Sequence, residues 1–386
     1  MDEPRRPARP LVIMMAGSRT LVIMMAASAA TVLGLWLIGR PADPGAGPDA
    51  LAGPLTSAAK PGQNVLFNVF KKTESEAAFD LEVVWKDFKR TDWTVRCSLL
   101  KSDLAAAEAE FGYTEAELEA AVREPVDKMR RDSLVALRAF VQAEIAKGRY
   151  GDYIQVVDKG PLAFNLNLTP LPDNIRDEAR KEFRRVAAAM AEEQARQLKK
   201  MEKELEPLKA EFLAGRGVRL KGGEISVDYG WSVTRNRPRV RPALEALRDV
   251  APGLGLYDFL SLLLAFVQEI PFVEQPLAEA EKVILGFWAP PRVLVENAGD
   301  CDSKGIALAA LWKNFKNSPL IVFRVPKHFF LGLAIPSPTA EGTVTVGGLR
   351  YTLCEVTGQE LLPPGFLSAY SLMYLENGRY SYERLD

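Results

Sequence analysis

Histidine is nearly missing from this chain of 386 residues: His328 is the only one. Cysteine is scarce too, at three residues, Cys97, Cys301 and Cys354. Three scattered thiols are too few for a disulfide framework or a Cys/His metal site. With one imidazole and no acidic cluster at helical spacing, the ligands of a transition-metal centre are lacking, and no metal or other cofactor is expected. An excess of charge of either sign is absent as well, because 49 Lys and Arg nearly cancel 50 Asp and Glu. No basic face or block stands out, which argues against a nucleic-acid partner. The rest of the composition, 48% apolar and 26% charged, fits a globular protein long enough for two or three domains.

The N-terminus departs from this. Thr20 to Gly39 carries no charge, and such a run is long enough to cross a bilayer of ~30 Å. Arg5, Arg6, Arg9 and Arg19 precede it and only Arg40 follows closely. This bias predicts residues 1–19 in the cytoplasm, 20–39 as a single-pass anchor in the inner membrane and the remainder outside, in the periplasm. The competing reading is a signal peptide cleaved near Ala26-Ala27-Ser28-Ala29-Ala30, giving a secreted protein. Such a cut would leave Val32 to Ile38, still apolar, on the mature chain.

Residues 40–63 are rich in Pro, Gly and Ala and read as a linker. From 64 to 112, runs such as Val65 to Phe70 and Trp93 to Cys97 predict a small β-containing region. From 113 to 216 the period becomes helical. Thr114 and Glu117 form a capping box ahead of Leu118, Val122, Val126, Met129, Leu137, Phe140 and Val141. Pro125 predicts a kink there, or the true start of a second helix. Pro172-Asp173 opens another long helix through Ile175, Val186, Met190, Leu205 and Phe212. The two read as a hairpin of solvated helices packed along one face, or as a coiled coil for a protein partner. Residues 217–386 predict helices over Pro242–Val250, Leu256–Glu269 and Cys301–Asn314. Strands are predicted over Leu320–Val325, His328–Ile335 and Thr343–Val356, the last broken at Gly347-Gly348.

The sole histidine lies in this last region, 27 residues after the cysteine of Gly299-Asp300-Cys301-Asp302, and Glu355 lies another 27 on. Thiol, imidazole and carboxylate are the parts of a cysteine nucleophile, its base and the group that orients the base. Asp300 is placed to cap the helix that follows, which puts Cys301 in the first turn. There the open amides and the helix dipole favour a thiolate and offer donors to an oxyanion. Asp302 reads as a capping or structural carboxylate. Trp288 is either a donor to the reacting oxygen or an aromatic wall of the cleft. Cys97 and Cys354 could pair outside the cytoplasm, but Cys354 abuts Glu355, so they read rather as two buried thiols.

The segments Phe266 to Phe272, Gly299 to Asp302, Lys327-His328-Phe329 and Tyr351 to Thr357 resemble the core of the transglutaminase-like superfamily, over roughly residues 225 to 375. The resemblance implies an α+β, papain-like fold in which a helix bearing Cys301 packs on an antiparallel sheet bearing His328 and Glu355. The family's usual acid is aspartate, so Glu355 is one methylene longer. Gln268 would supply an oxyanion-hole amide as in papain-like sites, or serve as a helix-end hydrogen bonder. No calcium loops or extra β-sandwich domains are visible, so the resemblance is to the smaller bacterial members. It implies a thiol enzyme acting on a peptide or protein amide, by hydrolysis or acyl transfer. The alternative is a non-catalytic envelope scaffold or binding module that uses the helices of 113–216 for a partner.

Overall fold

The computed structural model describes residues 20–21, 67–161, 163–336, 342–358 and 360–385. The N-terminal segment 1–19, residues 22–39 of the expected anchor and the linker 40–63 lie outside them. The chain is a mixed α/β protein with antiparallel sheets. Its described residues divide into two compact units, one built on 116–209 and the other on 67–115 with the described residues from 210 to 385.

The membrane anchor expected from Thr20 has no counterpart among the described residues. Thr20 and Leu21 form a two-residue strand, paired antiparallel with Asn167 and Leu166. Among the described residues no helix is long and apolar enough to cross a membrane. The single-pass, extracytoplasmic placement is corrected accordingly. An uncharged run satisfies a hydropathy rule, but absence of charge alone does not separate a helix from a strand.

In the first unit, helices Glu115–Ala146 and Arg176–Ala214 flank a hairpin of strands Ile154–Gly160 and Ala163–Leu168. Leu137 and Val141, then Val186 and Met190, close over Ile154, Phe164 and Leu166 in one core. These residues repeat at helical spacing in the helices and alternate in the hairpin, so each element buries one face. Pro125 lies inside the first helix, which runs through it unbroken; the second start considered there does not occur.

The second unit opens with an antiparallel sheet of β1 (Asn68–Glu74), β2 (Ala78–Lys86) and β3 (Asp92–Leu100). Helix α1 (Leu256–Glu269) lies against it, with Trp85 edge-on to Phe266. Helix α2 (Cys301–Phe315) runs through the centre, and Ile306 to Trp312 are all fully buried. A helix apolar on every side has to be enclosed on every side, and Ile306-Ala307-Leu308-Ala309-Ala310-Leu311-Trp312 is such a sequence. A five-stranded antiparallel sheet follows: β4 (Leu320–Val325), β5 (His328–Leu333), β6 (Thr343–Val346), β7 (Leu349–Glu355) and, after helix α3 (Ala369–Glu376), β8 (Ser381–Leu385). Its order is β6-β7-β5-β4-β8.

The sheet is covered on both faces. Ile321, Phe323, Phe330 and Leu353 pack with Leu372 and Leu375 of α3, while Phe329 faces α2 across Gly305. Among the elements of this unit that were not legible in its sequence are helices Lys101–Glu110, Tyr229–Asn236, Pro290–Glu296 and α3, strand β8, and the strand pair Val218–Lys221 and Glu224–Val227. Pro290-Pro291 opens its helix, where proline in a first turn removes only N–H groups that have no helical partner.

Candidate active site

Cys301 enters the site as the first residue of α2, and the local sequence explains how. The Asp300 carboxylate accepts from Ser303 N at 3.1 Å, which caps the helix. The chain before it is pinned to the segment after α1: Gly299 N donates to Pro271 O, Val273 N donates to Gly299 O, and Asp300 N donates to Gln275 Oε1. His328 enters from the sheet. Pro326 and Lys327 form the turn from β4 to β5, with Lys327 in the left-handed region at φ 57°, and Val325 pairs with His328. His328 shares the face of Phe330, and Phe330 pairs with Glu355, so imidazole and carboxylate lie on the face that α3 covers. Cys301 comes from the opposite face and meets His328 where β5 begins.

The three groups are in contact. Cys301 Sγ lies 3.3 Å from His328 Nδ1, and His328 Nε2 bonds Glu355 Oε1. The other carboxylate oxygen, Oε2, accepts from Ser368 N at 3.2 Å and from Ser371 Oγ at 2.9 Å. Burial disfavours a charged imidazole here. The bonds to Cys301 and Glu355 outweigh it and raise the pKa of His328 to about 10. An imidazolium between a sulfur and a buried carboxylate is the charge state that accompanies a thiolate. Thr357, two residues past Glu355, donates its hydroxyl to Cys301 Sγ at 3.0 Å. Burial, and then a nearby carboxylate (Asp80 for Cys97, Glu355 for Cys354), raise the pKa of the other two thiols, Cys97 to about 11. Both are protonated near neutrality.

The supporting residues fall out differently. Gln268 is buried, and its amide is committed to the main chain: Nε2 donates to Glu355 O and Leu362 O, while Oε1 accepts from Leu362 N. Both N–H groups are taken, so it clasps the acid's strand and is not placed as an oxyanion donor. Trp288 donates its indole N–H to Glu279 Oε1 and carries the Arg292 guanidinium over its ring, which rules out the donor role and leaves an aromatic surface. Asp302 accepts from Tyr229 OH at 2.7 Å. Burial first, and then Asp300, raise its pKa well above the usual carboxylate range, so it is a structural carboxyl. Cys354 is fully buried, and Cys97 is only partly so.

Thr357, Ser368, Ser371, Gln275 and Lys304 also bind the site, and their local sequence does not announce it. Thr357 stood inside the motif run, but nothing in the run says which way its hydroxyl points. Among the described residues no group of His, Cys, Asp and Glu is arranged to hold a metal ion. In comparison with known proteins, no family model matches the chain, and no curated protein or solved structure matches it.

Proposed function

We propose that this chain is a transglutaminase-like thiol enzyme acting on amide bonds, with a papain-like core in residues 217–386. The observation that carries the reading is the 3.3 Å contact of Cys301 Sγ with His328 Nδ1 at the start of a helix, with Nε2 held by Glu355. Cys301 attacks the carbonyl carbon of a peptide or protein amide, and the oxyanion forms beside the open amides of the first helical turn. His328 gives its proton to the departing amine as the C–N bond breaks. This leaves a thioester on Cys301 and a neutral amine. Water or a second amine then attacks, His328 takes its proton, and the thiolate is released. Glu355 keeps Nε2 protonated so that Nδ1 faces the sulfur.

The test is to incubate the protein with glutamine-containing peptides and look for the acyl-enzyme by mass. Peptide-sized additions on Cys301 that vanish in Cys301→Ala are expected. If wild type forms no adduct with peptide amides, and a thiol-directed electrophile labels Cys301 no faster than a free cysteine, the scaffold reading replaces this one.

A further inference from the structure

Lys304 lies one turn into α2, three residues after Cys301, and is almost fully buried. A buried ammonium is costly unless its donors are satisfied. Here two of them are, since Nζ donates to Gln268 O at 3.1 Å and to Ile270 O at 2.7 Å. Those carbonyls belong to the end of α1, where helical carbonyls lack partners and a cation offsets the dipole. The side chain of the same Gln268 holds Glu355 O and Leu362. One turn of chain therefore binds the nucleophile's helix through its main chain and the acid's strand through its side chain.

We propose that Lys304 is a positioning residue of the thiol site: it ties the Cys301 helix to the turn that holds Glu355, and its buried positive charge favours the thiolate. The proposal rests on the reading of Cys301 as a nucleophile. Lys304 is not an ordinary lysine in this respect. Burial lowers its pKa to about 7, against the opposing pull of Cys301 and then Glu269. It is therefore charged below neutrality and loses its charge above. The titratable groups that face it are Cys301 on its own helix and the buried Glu269 on α1. Glu269 in turn accepts from Phe67 N and feels Arg90 and Lys86 from the first sheet and the turn beyond it.

A lysine that only caps α1 would affect stability and nothing else. A lysine that supports the thiolate has a signature in pH. Cys301 is labelled with iodoacetamide between pH 5.5 and 9.5 in wild type and in Lys304→Gln, which keeps a donor for one carbonyl and loses the charge. At pH 6 the variant is expected to label about tenfold more slowly, the effect of one unit in proton affinity. The difference should close by pH 9, where Lys304 is itself neutral. Lys304→Arg, charged throughout, should restore labelling at pH 6. If wild type labels fast at pH 6 and folded Lys304→Gln matches it, this proposal falls and the thiol site stands. If wild type labels like a free cysteine, both fall. Should Lys304→Gln fail to fold, the titration of the Lys304 side chain by ¹³C NMR in wild type and Cys301→Ser decides. Coupling is reciprocal, so loss of the thiolate must move that titration to lower pH, and coincident curves overturn the proposal.

Discussion

Gly305, one turn beyond Cys301, lies so close to Phe329, the residue after His328, that a Cβ on it would overlap the aromatic ring. The missing side chain is what lets helix and strand approach until sulfur and imidazole touch. Gly305→Ala should push β5 away from α2. Overpacking of this kind costs about 1–3 kcal/mol, and the loss should appear in thermal unfolding together with slower alkylation of Cys301. An alanine variant with wild-type stability and labelling would show that the ring moves aside freely.

Glu355→Gln replaces the acceptor for His328 Nε2 with a group that can present N–H instead. The imidazole then carries its proton on Nδ1, facing the sulfur, and cannot take the thiol's proton. Turnover should fall steeply; the equivalent change in a serine triad costs ~10⁴-fold. Ser368 N and Ser371 Oγ still have an amide oxygen to bind, so the fold should persist. Glu355→Asp should keep part of the rate, limited by its shorter reach. Turnover equal to wild type in Glu355→Gln would reduce the site to a Cys–His pair.

Thr357→Val removes the hydroxyl that donates to Cys301 Sγ while conserving shape. A hydrogen bond to a charged acceptor contributes about 1.5–3 kcal/mol, so alkylation near pH 6 should slow by about tenfold or more. Unchanged alkylation would mean that the hydroxyl donates elsewhere when the thiolate forms.

Glu269 and Lys304 predict how stability changes with pH. Burial raises the pKa of Glu269 from 4.5 to about 7, so the native state binds more protons than the unfolded one in that window, and stability falls as pH rises. Lys304 is lowered from 10.5 to about 7, so the native state binds fewer protons above 7, and this contribution makes stability rise again. Glu269→Gln keeps an acceptor for Phe67 N and removes the first effect. Its stability relative to wild type should grow from pH 4.5 to 7 and then level off, as read by urea unfolding. A difference that does not change with pH would mean that Glu269 stays charged in the fold.

Much of the site could be read from residues alone, because its parts have local causes. An apolar run from Ile306 with Asp300 ahead of it as a cap fits the start of an enclosed helix, and a single histidine leaves one imidazole to serve as the proposed base. Pro326 and Gly347-Gly348 end strands whatever surrounds them. Thr20 and Leu21 show the limit of such reasoning, since absence of charge, which the hydropathy rule took for the start of a membrane helix, is compatible with the strand they form. Tertiary structure alone decided the contacts between residues distant in the chain. Gln268 is a plausible donor by type, but the end of α1 packs beside the loop at Leu362, and there its amide is taken by Glu355 and Leu362. Thr357 reaches the sulfur, and Ser368 and Ser371 the carboxylate, because β7 pairs with β5 in a register that sets Glu355 opposite Phe330. A slip of one residue would turn Glu355 to the other face. Lys304 reaches carbonyls more than 30 residues back in sequence because two helices cross there, and side-chain periodicity carries no information about where helices cross.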